Sequence, residues 1–162
     1  LLAAIYSGHV AANAINTLAE TKDCPNFEAY ISEQEQVLEK RLQSKSRFSA
    51  VHVRHEIAKL LNDCLGITRT EEKLIEGIKS VDYYISVSEK LIYDIDVSPY
   101  IGYSLQPMLL LARAILTSAL SRKETRGSHV REDYPQRSDE FALCSVCDYK
   151  NGEHHISYIK ED

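Results

Sequence analysis

Apolar positions along this chain recur mainly at three- and four-residue steps, the period of an α-helix, and alternate as in a strand only near the end. The cleanest stripe is Val53, Ile57, Leu60, Leu61 and Cys64, which predicts a helix over 50–65 with Gly66 as its C-cap. Thr70 suits an N-cap, and Glu71 and Glu72 suit a first turn, because carboxylates complement the positive end of a helix dipole. Leu74, Ile78, Val81, Ile85, Ser88 and Ile92 then line one side of a helix expected over 71–93. Upstream, residues 1–21 read as an Ala-rich helix. Its small residues Gly8, Ala11, Ala12 and Ala14 leave room for a close neighbour, and Asp23, Cys24, Pro25 and Asn26 break it. Asn26 can cap a further helix over 27–44, whose stripe is Phe27, Tyr30, Ile31, Val37, Leu38 and Leu42.

The segment MLLLARAILTSAL (108–120) is apolar on most sides, the pattern of a helix packed centrally. Pro99 and Gly102 place a loop over 94–104, Ser104 caps the helix that follows, Pro107 falls in its first turn, and Gly127 is the expected stop. Arg113 interrupts the apolar run, which is too short to span a bilayer. In the tail, Asn151-Gly152 is a strong hairpin signal, since a type I′ turn needs positive φ at both central positions. That register sets Lys150 against Glu153, Tyr149 against His154 and Cys147 against Ile156. Leu143, Cys147, Tyr149, Ile156 and Tyr158 then share the face expected to be covered.

An apolar share of 44% with 27% charged residues allows a packed core and argues against disorder. The net charge of −5 argues against nucleic acid or an anionic membrane as the main partner. The chain opens Leu-Leu without Met or a charged region, the beginning expected of a fragment. Cys24, Cys64, Cys144 and Cys147 form no dense framework and read as reduced thiols. Cys144 and Cys147 stand at a spacing that zinc sites use, with His154 and His155 nearby. Strand residues three apart point to opposite faces, however, so no metal site is assigned. His52 and His55 lack a completing ligand set, and no phosphate loop, H-E-x-x-H or nucleophile elbow is present.

The chemistry concentrates in SRKETRGSHVREDYPQRSDE (121–140), where cations and anions alternate directly after the apolar helix. Within it, TRGSHVREDYP resembles the S-R-G-x-H-x-R-x-D-x-P signature of the succinate dehydrogenase and fumarate reductase flavoprotein family. Relatives of that family include L-aspartate oxidase and adenylylsulfate reductase. Arg126, Gly127, His129, Arg131, Asp133 and Pro135 fall on the signature, and Thr125 replaces its Ser. Leu1, Leu2 and Gly8 fit the family's N-S-L-L helix, and Gly66, Ile67 and Arg69 fit its Gly-Ile-x-Arg turn.

The resemblance implies a mainly α fold, an antiparallel, spectrin-repeat-like three-helix bundle with a C-terminal β-hairpin. Its helices would be 27–44 or 50–65, then 71–93 and 105–124. It divides the chain into 1–22 (last helix of a truncated flavin-binding domain), 26–124 (bundle), 125–140 (charged docking loop) and 141–162 (hairpin). It implies that the parent protein is an FAD-dependent oxidoreductase moving hydride between a dicarboxylate and FAD, with electrons passing to an iron–sulfur subunit. The catalytic residues would lie upstream of Leu1. Leu1 is then the sole flavin-contacting position, and the chain alone is expected to hold no FAD and to be inactive. Arg126, Gly127, His129, Arg131 and Asp133 would dock the bundle onto the flavin-binding domain of the same chain. The bland alternative is a loop that closes on the protein's own surface. The implied location is cytoplasmic, peripheral to a membrane through partner subunits and without direct insertion. The competing functional reading is a stand-alone helical protein-interaction module.

Overall fold

A computed structural model describes residues 2–17, 26–43, 49–88, 90 and 99–160. Five helices precede a two-stranded hairpin: α1 (Leu2–Asn16), α2 (Glu28–Leu42), α3 (Ala50–Leu65), α4 (Glu71–Ser88), α5 (Pro99–Ser121), β1 (Cys144–Lys150) and β2 (Glu153–Ile159). The chain forms two units, 1–36 and 37–162. In the first, Asn26 Oδ1 accepts from the Glu28 N–H at 2.8 Å, satisfying a donor that opens α2. A Cβ on Gly8 would meet nothing within 4 Å, so the room expected there is not filled by a described neighbour. Residues 18–21 of the first expected helix lie outside the described residues.

The second unit contains the three-helix bundle, made of α3, α4 and α5, with the charged loop and the hairpin after it. The apolar stripes converge as their spacing requires. Val53, Ile57 and Cys64 meet Leu74 and Val81, and both sets meet Leu105, Leu109, Ala112 and Leu116. Leu74, Val81, Leu105, Leu109 and Leu116 are all 0% exposed. Gly77 marks the tightest approach. A Cβ there would stand 3.0 Å from Cys64 Sγ and 3.2 Å from Leu116 Cδ2. Ser49 caps α3 by accepting from the His52 N–H, and Thr70 Oγ1 accepts from the Lys73 N–H at the start of α4.

Several expected boundaries move. Gly66 does cap α3, but at φ −42 rather than in the left-handed region. Glycine is needed there because a Cβ would lie 2.9 Å from the Asn62 carbonyl oxygen. α4 ends at Ser88, and 91–93 fall outside the described residues. α5 begins at Pro99, so the expected loop over 99–104 is helical. Ser104 is therefore no cap. It sits inside the helix, donating to the Ile101 carbonyl and accepting from Arg54 Nη1 at 2.9 Å. Pro99 misled because the first turn of a helix tolerates proline, and Pro107 then lies in the helix interior. The longer α5 is, by length and composition, long and apolar enough to cross a membrane, contrary to the shorter run read from sequence. Its apolar residues Leu105, Leu109, Ala112 and Leu116 are nonetheless spent on the bundle core.

The hairpin has the expected register, Lys150↔Glu153, Tyr149↔His154 and Cys147↔Ile156. Asn151 (φ 54) and Gly152 (φ 84) supply the two positive φ angles of a type I′ turn. The shared face is covered along β2 and at Leu143, which is half-buried just before β1. His154, Ile156 and Tyr158 are half-buried, whereas Cys147 and Tyr149 remain exposed, contrary to expectation. Arg113 on α5 explains the difference. It donates to Asp82 of α4 at 2.6 Å and to His154 Nδ1 at 3.0 Å, holding the start of β2 against the bundle, where the facing end of β1 has no such tie among the described residues.

Candidate functional site

Ser121 ends α5, and two arginine–carboxylate centres organise the segment that follows. The first is Arg131 with Asp133. Arg131 is 0% exposed, and its guanidinium donates from Nε and Nη2 to the two Asp133 oxygens at 2.8 and 2.7 Å, a bidentate pair. Its Nη1 donates to the carbonyls of Ala119 at 2.9 Å and Leu120 at 3.2 Å, the unsatisfied acceptors at the C-terminus of α5. Asp133 Oδ2 in turn accepts from the Glu71 N–H at 2.8 Å, an orphan donor at the N-terminus of α4. One ion pair thus puts its cation on the negative end of α5 and its anion on the positive end of α4. The Arg131 guanidinium also stacks 4.9 Å from the centre of the Tyr134 ring. A parallel bridge completes the joint, with the Arg69 N–H donating to Val130 and the Glu132 N–H donating to Arg69, both at 2.9 Å.

The second centre is Glu124, also 0% exposed. It accepts from Arg122 Nη1 at 2.7 Å, Arg126 Nε at 2.8 Å and the Ser138 N–H at 3.0 Å. Arg122 spends its remaining donors on the carbonyls of Phe141 and Leu143, both at 2.6 Å, and on Ser145 Oγ at 2.8 Å. The hub therefore ties the end of α5 to the approach to β1. The Arg126 side chain holds Glu124 down to about 2, and the Arg131 side chain does the same for Asp133, so both stay ionised, Glu124 in the interior and Asp133 at the surface.

Gly127 is not the helix stop. At φ +58 it occupies the first central position of a tight turn closed by reciprocal Arg126–His129 backbone bonds of 2.8 and 3.0 Å. α5 is stopped six residues earlier because Arg131 and the His129 ring claim the carbonyls at its end. His129 Nε2 lies 3.0 Å from the Arg122 carbonyl, which can only accept, so this nitrogen carries the proton. Burial, with Arg69, Arg131 and Arg122 nearby, pushes the His129 pKa down and keeps the ring neutral. Thr125 fills its Ser position without loss, because its hydroxyl accepts from the Arg131 N–H at 2.9 Å and donates to the Tyr134 carbonyl at 3.0 Å.

The structure thus draws Arg126, Gly127, His129, Arg131 and Asp133 into one loop anchored on the chain's own helix ends. Leu1 lies outside the described residues. Sequence reasoning missed Glu124, Arg122, Arg69 and Glu71 as members. The Arg122-x-Glu124-x-Arg126 and Arg131-x-Asp133 alternations were visible, but nothing in them shows which charges are buried. No group of three or more His, Cys, Asp or Glu side chains that could hold a metal ion occurs among the described residues.

Comparison with known proteins gives this geometry its relatives. The model of the fumarate reductase flavoprotein C-terminal family matches residues 54–161, most of the bundle and all of the charged loop and hairpin. The chain belongs to that family. Among curated relatives, the fumarate reductase flavoprotein subunit of Helicobacter pylori is 31% identical over 121 residues, 70% of this chain and 16% of its own length. An FAD-dependent oxidoreductase of Methanocaldococcus jannaschii is 27% identical, over 83% of this chain and 25% of its own length. The chain therefore spans a quarter or less of these relatives. Solved structures share the fold. Sdh1 of Mycobacterium smegmatis superposes with a TM-score of 0.73 at 20% identity, over 94% of this chain and 27% of its own. Adenylylsulfate reductase of Archaeoglobus fulgidus superposes at 0.71 with 20% identity, over 94% and 28%. The family's C-terminal region is this helical bundle with its charged loop and hairpin.

Proposed function

We propose that this chain is the helical brace of a larger FAD-dependent oxidoreductase, acting on a dicarboxylate and passing electrons to an iron–sulfur subunit. The observation that carries the reading is the charged loop itself. Two arginine–carboxylate centres, each with one fully buried member, fix it, so its turn at Gly127–Ser128 and the partly exposed Arg126 form a preorganised surface. The first unit supports the same role. It presents Tyr6, Val10, Ile15, Phe27, Tyr30 and Ile31 at 47–69% exposure, an apolar surface suited to burial against a further domain. On this reading the loop docks onto the flavin-binding domain of the same protein and lies outside the chemistry. Leu1 is the flavin-contacting position, and the chain alone holds no FAD and turns nothing over. The parent protein is cytoplasmic and reaches a membrane through partner subunits.

The test is made in the intact flavoprotein. Arg126→Ala is expected to lower the flavin retained after purification and the thermal stability, with Arg131→Ala more severe because it also opens the bundle. Normal flavin content, stability and turnover in both variants would discard the brace. A purified 162-residue chain carrying stoichiometric FAD would discard the claim that it needs the rest of the protein.

A further inference from the structure

Beside the charged loop lies an open groove of about 270 Å³ whose polar lining the clamp holds in place. Leu65, Ile115 and Ala119 are its apolar lining, and Arg69, Arg122, His129, Ser118 and Ser145 are its polar lining. No carboxylate lines it, although the chain as a whole carries a net charge of −5. Arg122 is committed to Glu124. Arg69 differs: its side chain donates to the Ser128 carbonyl at 2.9 Å and has no ion-pair partner among the described residues. Burial pulls the Arg69 pKa down with nothing offsetting it, the condition of a half-buried cation lacking its counter-charge. The neutral His129 ring, with its Nε2–H given to the Arg122 carbonyl, leaves Nδ1 as the ring's other polar atom. The apolar lining also continues beyond the groove. Leu111, one helical turn before Ile115, is 61% exposed, and Ile67, two residues before Arg69, is 88% exposed.

We propose that this groove docks an acidic segment of a partner protein, seating one carboxylate on Arg69 and an adjoining aliphatic side chain on Leu65 and Ile115. Charge complementarity selects the carboxylate, because a guanidinium without a counter-ion gains most from a bidentate acceptor. The apolar run through Leu111 and Ile115 selects a segment over a free anion, which would leave that run uncovered. The proposal does not depend on the flavoprotein reading.

The experiment pans a random dodecapeptide library on the 162-residue chain and follows the enriched peptide by NMR. Enrichment of an Asp or Glu next to an aliphatic residue is expected, with shifts centred on Arg69, His129 and Ile115. Arg69→Gln, or Glu→Gln in the peptide, should weaken binding about tenfold or more, the scale of a lost charge-assisted pair. Arg69→Lys should recover only part of it, because an ammonium keeps the charge and loses the bidentate geometry. Arg137→Gln, an exposed arginine of the same loop outside the groove, should leave it unchanged. If Arg69→Gln disturbs the fold, Ile115→Asp tests the same groove from a half-exposed position by supplying an internal carboxylate, and it too should abolish binding. No acidic enrichment, equal binding by Arg69→Gln or Ile115→Asp, or identical saturation by sodium acetate alone would overturn the proposal.

Discussion

Arg131 shows how one side chain can set a helix boundary. Its burial is tolerated because Asp133 neutralises it and the carbonyls of Ala119 and Leu120 take its other donors. Arg131→Met removes the cation and leaves a carboxylate and helix-end carbonyls without their partner. We expect a stability loss of about 1–3 kcal/mol in urea unfolding at neutral pH, the scale of buried acceptors left without a donor. The double variant with Asp133→Asn should lose less than the two single losses added, because either change alone already breaks the pair. Single losses that simply add to give the double loss would show that the pair is not coupled. Gly77 makes the same point in the apolar core. An added methyl meets Cys64 on one side and Leu116 on the other, so Gly77→Ala should cost about 1–3 kcal/mol by thermal unfolding. No change in melting temperature would mean the three helices are not in close contact there.

Among the elements, the hairpin depends on a polar latch for part of its hold on the bundle. His154 Nδ1 must accept from Arg113, which can only donate, so the latch needs a neutral ring. Burial first, then Arg113, pushes the His154 pKa below its ordinary 6.5, while Asp82 and the Leu110 carbonyl pull the other way and His155 adds a small push downward. A base held neutral on folding contributes fully above 6.5, and the contribution falls as pH drops below that value towards the folded pKa. NMR signals of residues 144–159 should therefore move or broaden on acidification through this range, before those of α3 and α4. His154→Phe should remove that pH dependence. Hairpin signals that stay constant on acidification until the bundle itself unfolds would reject the latch. The register of the hairpin was legible from Asn151-Gly152, since turn chemistry is local. Which strand is covered was not legible, because Arg113 chooses it from a distant helix.

For the whole molecule, acid sensitivity should track the two charge centres. Glu124 falls from 4.5 to about 2 and Asp133 from 3.8 to about 2, each chiefly through its arginine. Depressed carboxylates contribute fully above their unfolded values. Stability should therefore hold above about pH 4.5 and be lost as pH falls from there towards 2. Urea midpoints measured across this range check it. Glu124→Gln should start lower at neutral pH and show a shallower acid decline. A decline as steep as that of the unsubstituted chain would place the titration elsewhere.

The sequence by itself determined what depends on neighbours a few residues apart. The 50–65 stripe, the Thr70 cap, the Asn151-Gly152 turn and the spacing of the charged signature all follow from local periodicity and backbone preference. Tertiary structure decided where α5 starts and stops, which of the alternating charges are buried and where they point. Pro99 opens a helix because residues beyond it find the core. Ser121 closes it because Arg131 reaches back to its carbonyls. Glu124 looks like any surface glutamate until Arg122, Arg126 and Ser138 close over it, and such burial is a property of three-dimensional neighbours that no one-dimensional pattern encodes.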